Sequence, residues 1–325
     1  MKALIIGAAG MVGKKLTQRI LDKDSPLHQL SELVLYDIID AQKPETSINT
    51  KILSGDISKN DQAKVLAAEK PDIIYHLASI VSGEAEENFG KGWQTNAQGT
   101  WNLLQELLRI TENIDPNYKP KLVFTSSIAV FGAPFPTKID DEFLCAPQTS
   151  YGAQKAITEM LISDYSRKGF IDGISIRLPT ICVRPGKPNL AASGFFSGII
   201  REPLNNKEAI LPVSDQVRHW HASPRSATHF LTHAGTMDLS QLGTRRSLNM
   251  PGVSCTVEEQ IDALRQIAGN KVTSKIRHEP NPKIIKIVEG WPRNFDPVRA
   301  TALGFKSEST FSEIVKVYLD DDFEK

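Results

Sequence analysis

The chain has 325 residues, and its 38 lysines and arginines balance 38 aspartates and glutamates, so the net charge is zero. That balance excludes the global field that gathers nucleic acid or an anionic membrane surface, and it points to a small-molecule partner. The length suffices for one large α/β domain with an appended region, or for two domains.

The opening run MKALIIGAAG is cut by Gly7 well short of a signal-peptide core or a membrane span, so a cytoplasmic protein without membrane attachment is expected. Three scattered cysteines, Cys145, Cys182 and Cys255, suit a reducing compartment and packing roles. Apolar runs then recur at 3–7, 33–37, 51–56, 72–79, 121–127 and 174–180, each followed by helix-like or loop sequence. Their apolarity is continuous rather than alternating, which predicts strands covered on both faces. The series reads as an α/β fold: a doubly wound parallel sheet of the Rossmann type over residues 1–180. Between strands, Trp101, Leu104, Leu107 and Leu108 stand at helical spacing within 96–110, and Ile157, Met160 and Leu161 do so after Tyr151, ahead of a stop at Gly169. Past residue 180 prolines and glycines cluster in RLPTICVRPGKPN. Residues 181–325 are therefore expected to form mainly a smaller C-terminal substrate-binding region. Helical stretches at 226–236 and 257–269 are expected to pack back on the sheet, and 295–305 is expected to serve packing.

The segment IIGAAGMVGKKL puts Gly7, Gly10 and Gly13 at the first strand-to-helix junction, with Met11 and Val12 between them. Such a loop turns tightly and lets a pyrophosphate approach bare backbone, with helix amides aimed at its charge. Asp37 ends the next strand, where its carboxylate can accept from both adenosine ribose hydroxyls and would repel a 2′-phosphate. No Arg or Lys adjoins it in YDIID, so NAD is favoured over NADP. Further along the sheet edge, Asp56 and Ile57 are candidates for the adenine, though Asp56 equally suits a turn before a helix. Leu77, Ala78 and Ser79 end the fourth strand beneath the expected path of the cofactor.

SYGAQKA, residues 150–156, sets Tyr151 and Lys155 four apart at a helix entrance, so both share one face with Cβ atoms about 5–6 Å apart. A free tyrosine has only about one phenolate in a thousand at neutral pH, a deficit of roughly 4 kcal/mol. A cation at that spacing moves such a pKa down by about 1–3 units, and an oxidised nicotinamide adds a second positive charge. Together they bring the phenol into range for a base. Ser126 and Ser127 end the fifth strand, at the carboxyl edge where ligands collect in open α/β sheets.

The glycine loop, Asp37, Asn96, Ser127 and Tyr151-x-x-x-Lys155 together resemble the extended short-chain dehydrogenase/reductase family across essentially the whole chain. The resemblance implies Tyr151 as acid/base, Lys155 as its electrostatic partner and ribose anchor, and Ser127 as the hydroxyl fixing the reacting oxygen. In the family's S-S-x-x-V-[YF]-G pattern the serine five before the glycine has that role, which counted back from Gly132 is Ser127. Asn96 matches the family's structural asparagine and Pro179 its turn under the nicotinamide. The resemblance also implies a homodimer paired through the tyrosine helix and the helix before it. Longer strings such as HLASIVSGEAEENF and SGIIREPL resemble an NAD-dependent branch acting in the breakdown of four-carbon acid sugars. That implies oxidation of a sugar acid at C2. Its carboxylate needs a cation, for which Arg184 and Arg218 are candidates and Arg225, entering a helix, a weaker one. Ser79 and Ser82 are candidates for its other hydroxyls. The rival readings are a nucleotide-sugar epimerase or dehydratase with the same catalytic residues, and a silent NAD-sensing module. His76 is expected to be buried in its strand, and His219 with His221 lacks acidic neighbours at ligand spacing, so no metal is expected.

Overall fold

The computed structural model describes residues 1–186 and 192–323. Lys187, Pro188 and Asn189, the tail of the proline-rich string, lie outside the described residues. Two compact units interleave along the chain, the first of residues 1–127, 149–177 and 228–248, the second of 128–148, 178–227 and 249–323.

The first unit is built on strands β1 (Lys2–Ile6), β2 (Glu32–Asp37), β3 (Asn49–Ser54), β4 (Ile73–His76), β5 (Lys121–Ser127) and β6 (Asp172–Leu178). A short strand, Ser247–Asn249, completes a seven-stranded sheet in which it lies beside β6, followed by β5, β4, β1, β2 and β3. The ladders from β3 through to β5 all run parallel. Strand order reverses at β1, which lies between β2 and β4, and such a switch point opens a crevice at the carboxyl ends of the strands. Register places Ile6 opposite both Tyr36 and His76, and His76 opposite Phe124. Gly7, Asp37, Leu77 and the end of β5 therefore share that carboxyl edge.

Both faces are covered, as the unbroken apolar runs require. Leu4, Ile6, Val34, Tyr36, Ile74, Leu122 and Phe124 pack with Leu66 of α2 (Asn60–Ala68), Leu103, Leu104 and Leu107 of α5 (Gly99–Asn113), and Ile162 of α6 (Ser150–Arg167). Between α2 and α5 in the chain lie α1's successors α3 (Ser82–Glu87) and α4 (Phe89–Gly92), α1 itself being Met11–Leu21. Residues of the opposite set, Ala3, Ile5, Leu33, Leu35 and Tyr75, are equally buried. There Gly235 of the helix Pro224–Thr236 lies flat against Tyr75, where an added Cβ would come 2.0 Å from the phenol oxygen.

The second unit has its own core of Cys182, Val183, Phe196, Ile199, Ile200, Leu211, Cys255, Leu264, Phe311, Ile314 and Tyr318. It carries a three-stranded sheet of Thr180–Ile181, Arg218–Ala222 and Val253–Thr256, and a parallel pair of Ala209–Leu211 with Ile276–His278. Residues 295–305 contribute buried Phe295, Ala300 and Phe305. Among the described residues no helix is long and apolar enough to cross a membrane.

Candidate active site

The glycine loop is set by its own backbone. Gly7 and Ala8 donate to Tyr36 O at 2.8 and 3.1 Å, while Leu77 and Ala78 donate to Ile6 O at 2.8 and 2.9 Å, so the loop is stitched to β2 and β4. Gly7 has φ +96, and an added Cβ would sit 2.6 Å from Ala78 N. A Cβ on Gly13 would meet Gly7 O at 2.1 Å. These two positions are glycine for reasons internal to the fold. Gly10 is different: it is exposed, and a Cβ there would meet nothing closer than Gly7 O at 3.4 Å. It is also the N-cap of α1, which has no side-chain cap and no acid in its first turn. An uncapped helix N-terminus beside a residue kept bare for no packing reason suits a phosphate approaching the amides of Met11, Val12 and Gly13. Asp37 closes the loop from the side, its Oδ2 accepting from Ala9 N at 2.9 Å and its Oδ1 from Ile38 N at 2.7 Å. Each oxygen keeps a lone pair for a ribose hydroxyl. These residues fit a dinucleotide.

Asp56 accepts from Ser58 N at 3.0 Å, an Asx turn ahead of α2, and Ile57 is buried in the core beside α5. Ser79 donates to Asn96 Oδ1 at 3.0 Å, and Asn96 also exchanges bonds with Ile80 N at 2.7 Å and Ile80 O at 3.1 Å. Its amide donates in addition to Gln154 of α6 at 2.7 Å. Asn96 sits in a single π-helical turn, Trp93–Gln98, which widens the helix ahead of α5 and aims the side chain at the end of β4. The periodicity of 96–110 did not distinguish this turn from α-helix. Ser82 is half-buried at the start of α3, and Pro179 is buried between β6 and Thr180.

Thr149 caps α6, its hydroxyl accepting from Gly152 N at 3.1 Å, so Tyr151 stands in the first turn and Lys155 in the second. Lys155 is 2 % exposed. Its Nζ donates to Thr125 O at 2.8 Å and lies 4.6 Å from the Phe124 ring centroid and 5.5 Å from that of Tyr151. Two consecutive β5 residues thus hold the ammonium group, and Ser127, half-buried, follows them at the strand end. Burial pushes Lys155 down to about 7, opposed by the charge of Glu159. Beneath it, burial and the Lys155 charge hold His76 down to about 3, so this histidine is neutral; its Nε2 pairs with Thr100 Oγ1 at 3.0 Å.

Glu159, Arg177 and Gln154 were not singled out from the sequence. Glu159 is 4 % exposed and takes a two-pronged ion pair from Arg177 of β6, with Nε at 2.9 Å from Oε1 and Nη2 at 2.7 Å from Oε2. Ser126 donates to the same carboxylate at 2.5 Å. The available signal was spacing: Tyr151, Lys155 and Glu159 stand at successive intervals of four. Ser126, read as the neighbour of the functional serine, bonds this carboxylate rather than local backbone.

Arg184 and Arg218 belong to the second unit. Arg184 donates to Ile181 O at 3.0 Å and Ser193 Oγ at 3.4 Å. Arg218 donates to Ser254 O at 3.0 Å and pairs with Glu259 at 3.1 Å. Arg225 lies in the helix Pro224–Thr236 and pairs with Asp321 at 2.7 Å. His219 and His221 are buried: Thr180 and Pro292 O engage the first and Gln260 the second. All three cysteines are free thiols, with Cys182 and Cys255 buried and Cys145 partly so.

A Rossmann sheet with this loop, this acid and a phenol–ammonium pair at its carboxyl edge defines an NAD-dependent oxidoreductase of the short-chain type. The chain belongs to the NAD dependent epimerase/dehydratase family, whose model matches residues 3–223. It is similar to the D-erythronate dehydrogenase of Cupriavidus necator, 40% identical over 328 residues that cover 99% of this chain and 98% of the relative. It is also similar to the D-erythronate dehydrogenase of Haemophilus influenzae, 38% identical over 322 residues covering 99% of this chain and 100% of that one. Among solved structures it resembles one described as the nucleoside-diphosphate-sugar epimerase from Agrobacterium tumefaciens, at 53% identity and a TM-score of 0.95, over 99% of this chain and 94% of that chain.

Proposed function

We propose that the chain oxidises D-erythronate at C2 to 2-dehydro-D-erythronate, a step in the breakdown of four-carbon acid sugars. The observation that carries the reading is the stacking of Lys155 between Thr125 O and the Tyr151 ring, in a chain similar over its full length to two D-erythronate dehydrogenases. NAD, when bound, supplies the hydride acceptor. Tyr151, as phenolate, takes the proton of the C2 hydroxyl, leaving a carbonyl as the C–H pair departs. Ser127 would hold the reacting oxygen, and Lys155 would stabilise the phenolate and hold the nicotinamide ribose. We assign the carboxylate to Arg184 or Arg218, and the remaining hydroxyls to Ser79 and Ser82. We also assign a homodimer formed through α5 and α6, supported by Trp101, Ile157 and Met160 lying exposed on those helices. The free thiols suit the cytoplasm.

The description of the Agrobacterium relative favours a second reading, nucleotide-sugar epimerisation with the same residues. One assay separates them: D-erythronate with NAD, followed by NADH absorbance, beside a panel of other aldonates and nucleotide sugars. Net NADH from D-erythronate is expected, whereas an epimerase yields none. Tyr151→Phe should lower kcat by at least about a hundredfold while the protein still binds NAD.

A further inference from the structure

The stripe along α6 does not stop at the phenol and the ammonium. Glu159 stands one turn beyond Lys155, buried, with Arg177 and Ser126 on its two oxygens. The ties across to β5 run in succession: the Phe124 ring and Thr125 O hold Lys155, the Ser126 hydroxyl is held by Glu159, and Ser127 comes next. Three successive strand residues are thus pinned to two helix residues a turn apart. These ties hold the strand immediately ahead of Ser127.

A purely structural contact in so dry a place is served as well by apolar side chains, because desolvating an ion pair offsets most of its attraction. An ionic group here is explained by the neighbouring charge. Lys155 faces His76 from β4, which is neutral, and Tyr151 and Glu159 from its own helix; Arg177 of β6 lies behind Glu159. Glu159 is the carboxylate acting on the buried ammonium, and Arg177 with Ser126 fixes where that negative charge sits.

We infer that Glu159, held by Arg177 and Ser126, is a positioning residue for this reaction, keeping Lys155 in its charged form and Ser127 in line with Tyr151. The inference rests on the assignment of Tyr151, Lys155 and Ser127 as the catalytic set. Loss of the carboxylate favours the neutral lysine, so the pH at which activity falls as Lys155 deprotonates moves down.

The test is Glu159→Gln, which keeps the shape and an acceptor for Ser126 while removing the charge. The alkaline limb of the kcat/KM profile should move down by about one pH unit, with kcat at neutral pH reduced about fivefold and KM for NAD little changed. A merely structural role lowers the melting temperature without moving that limb. Independently of turnover, the 15Nζ shift of Lys155, assigned with Lys155→Met, should titrate at lower pH in the NAD-free variant than in the wild type. An unchanged lysine midpoint overturns the inference even if activity falls. A lowered midpoint in a protein that reduces no NAD with any sugar acid upholds the charge effect and sinks the assigned reaction instead. If Glu159→Gln does not fold, Glu159→Asp, with its carboxylate drawn back from Lys155, should shift both readouts the same way by less; no shift there also overturns it.

Discussion

A lysine at 2 % exposure, as Lys155 is, destabilises the fold whenever it carries charge. Its folded-state pKa is lowered from 10.5 to about 7, so between those values the unfolded chain holds the extra proton. Stability therefore rises with pH across that window, and the full penalty is present below about 7. Lys155→Met in the NAD-free protein is expected to raise Tm by about 2–5 °C at pH 6, an advantage that shrinks as pH approaches 10. The orphaned Thr125 carbonyl offsets part of the gain, by about 1 kcal/mol. Melting curves of both proteins across pH check this; equal Tm differences at pH 6 and 9.5 contradict it. That Tyr151 and Lys155 share one helix face could be read from spacing alone. Glu159 could be placed on their stripe but not paired, since Arg177 is 18 residues away and Ser126 is 33.

At the scale of an element, α6 turns polar residues inward over its first half, while Ile162 and Tyr165 further along join the apolar core. It buries Gln154, Lys155, Thr158 and Glu159 and leaves Ile157 38% and Met160 67% exposed. Helical periodicity locates such a helix correctly but cannot say which face turns inward, because the usual rule assumes an apolar core. The polar face is drawn in by partners on β5 and β6 and by Asn96 of the π-helical turn. The apolar residues left outside, with Trp101 of α5, form a patch that suits a second copy of the chain. If the proposed dimer forms, Met160→Glu is expected to convert it to a monomer in light scattering, with Tm of the monomer unchanged by the core, which Met160 does not enter. A wild type that already sizes as a monomer defeats the assignment.

At the scale of the whole molecule, the first unit needs residues 228–248, far along the chain from the rest of its sheet. Ser175 of β6 donates to Arg246 O at 2.8 Å, Lys121 of β5 donates to Met237 O at 2.7 Å, and Gly235 covers Tyr75. A fragment ending at residue 180 leaves β6 as a bare edge and one face of β4 uncovered. It is expected to show strand and helix by circular dichroism but no cooperative thermal transition. A sharp melt would show that the returning segment is dispensable.

The amino-acid sequence by itself determined the βαβ order, the loop of Gly7, Gly10 and Gly13, the acid at Asp37 and the phenol–ammonium pair. Each of these rests on local patterning: strand-length apolar runs, a turn that bars a Cβ, or a spacing of one helical turn. Only the tertiary structure decided that α6 turns its polar face inward, that Ser126 is tied to Glu159 while Ser127 ends the strand, and that Gly10 is bare without a packing reason. Those outcomes depend on which strands lie side by side, and β5 meets β6 and α6 only after a crossover whose length no local pattern encodes.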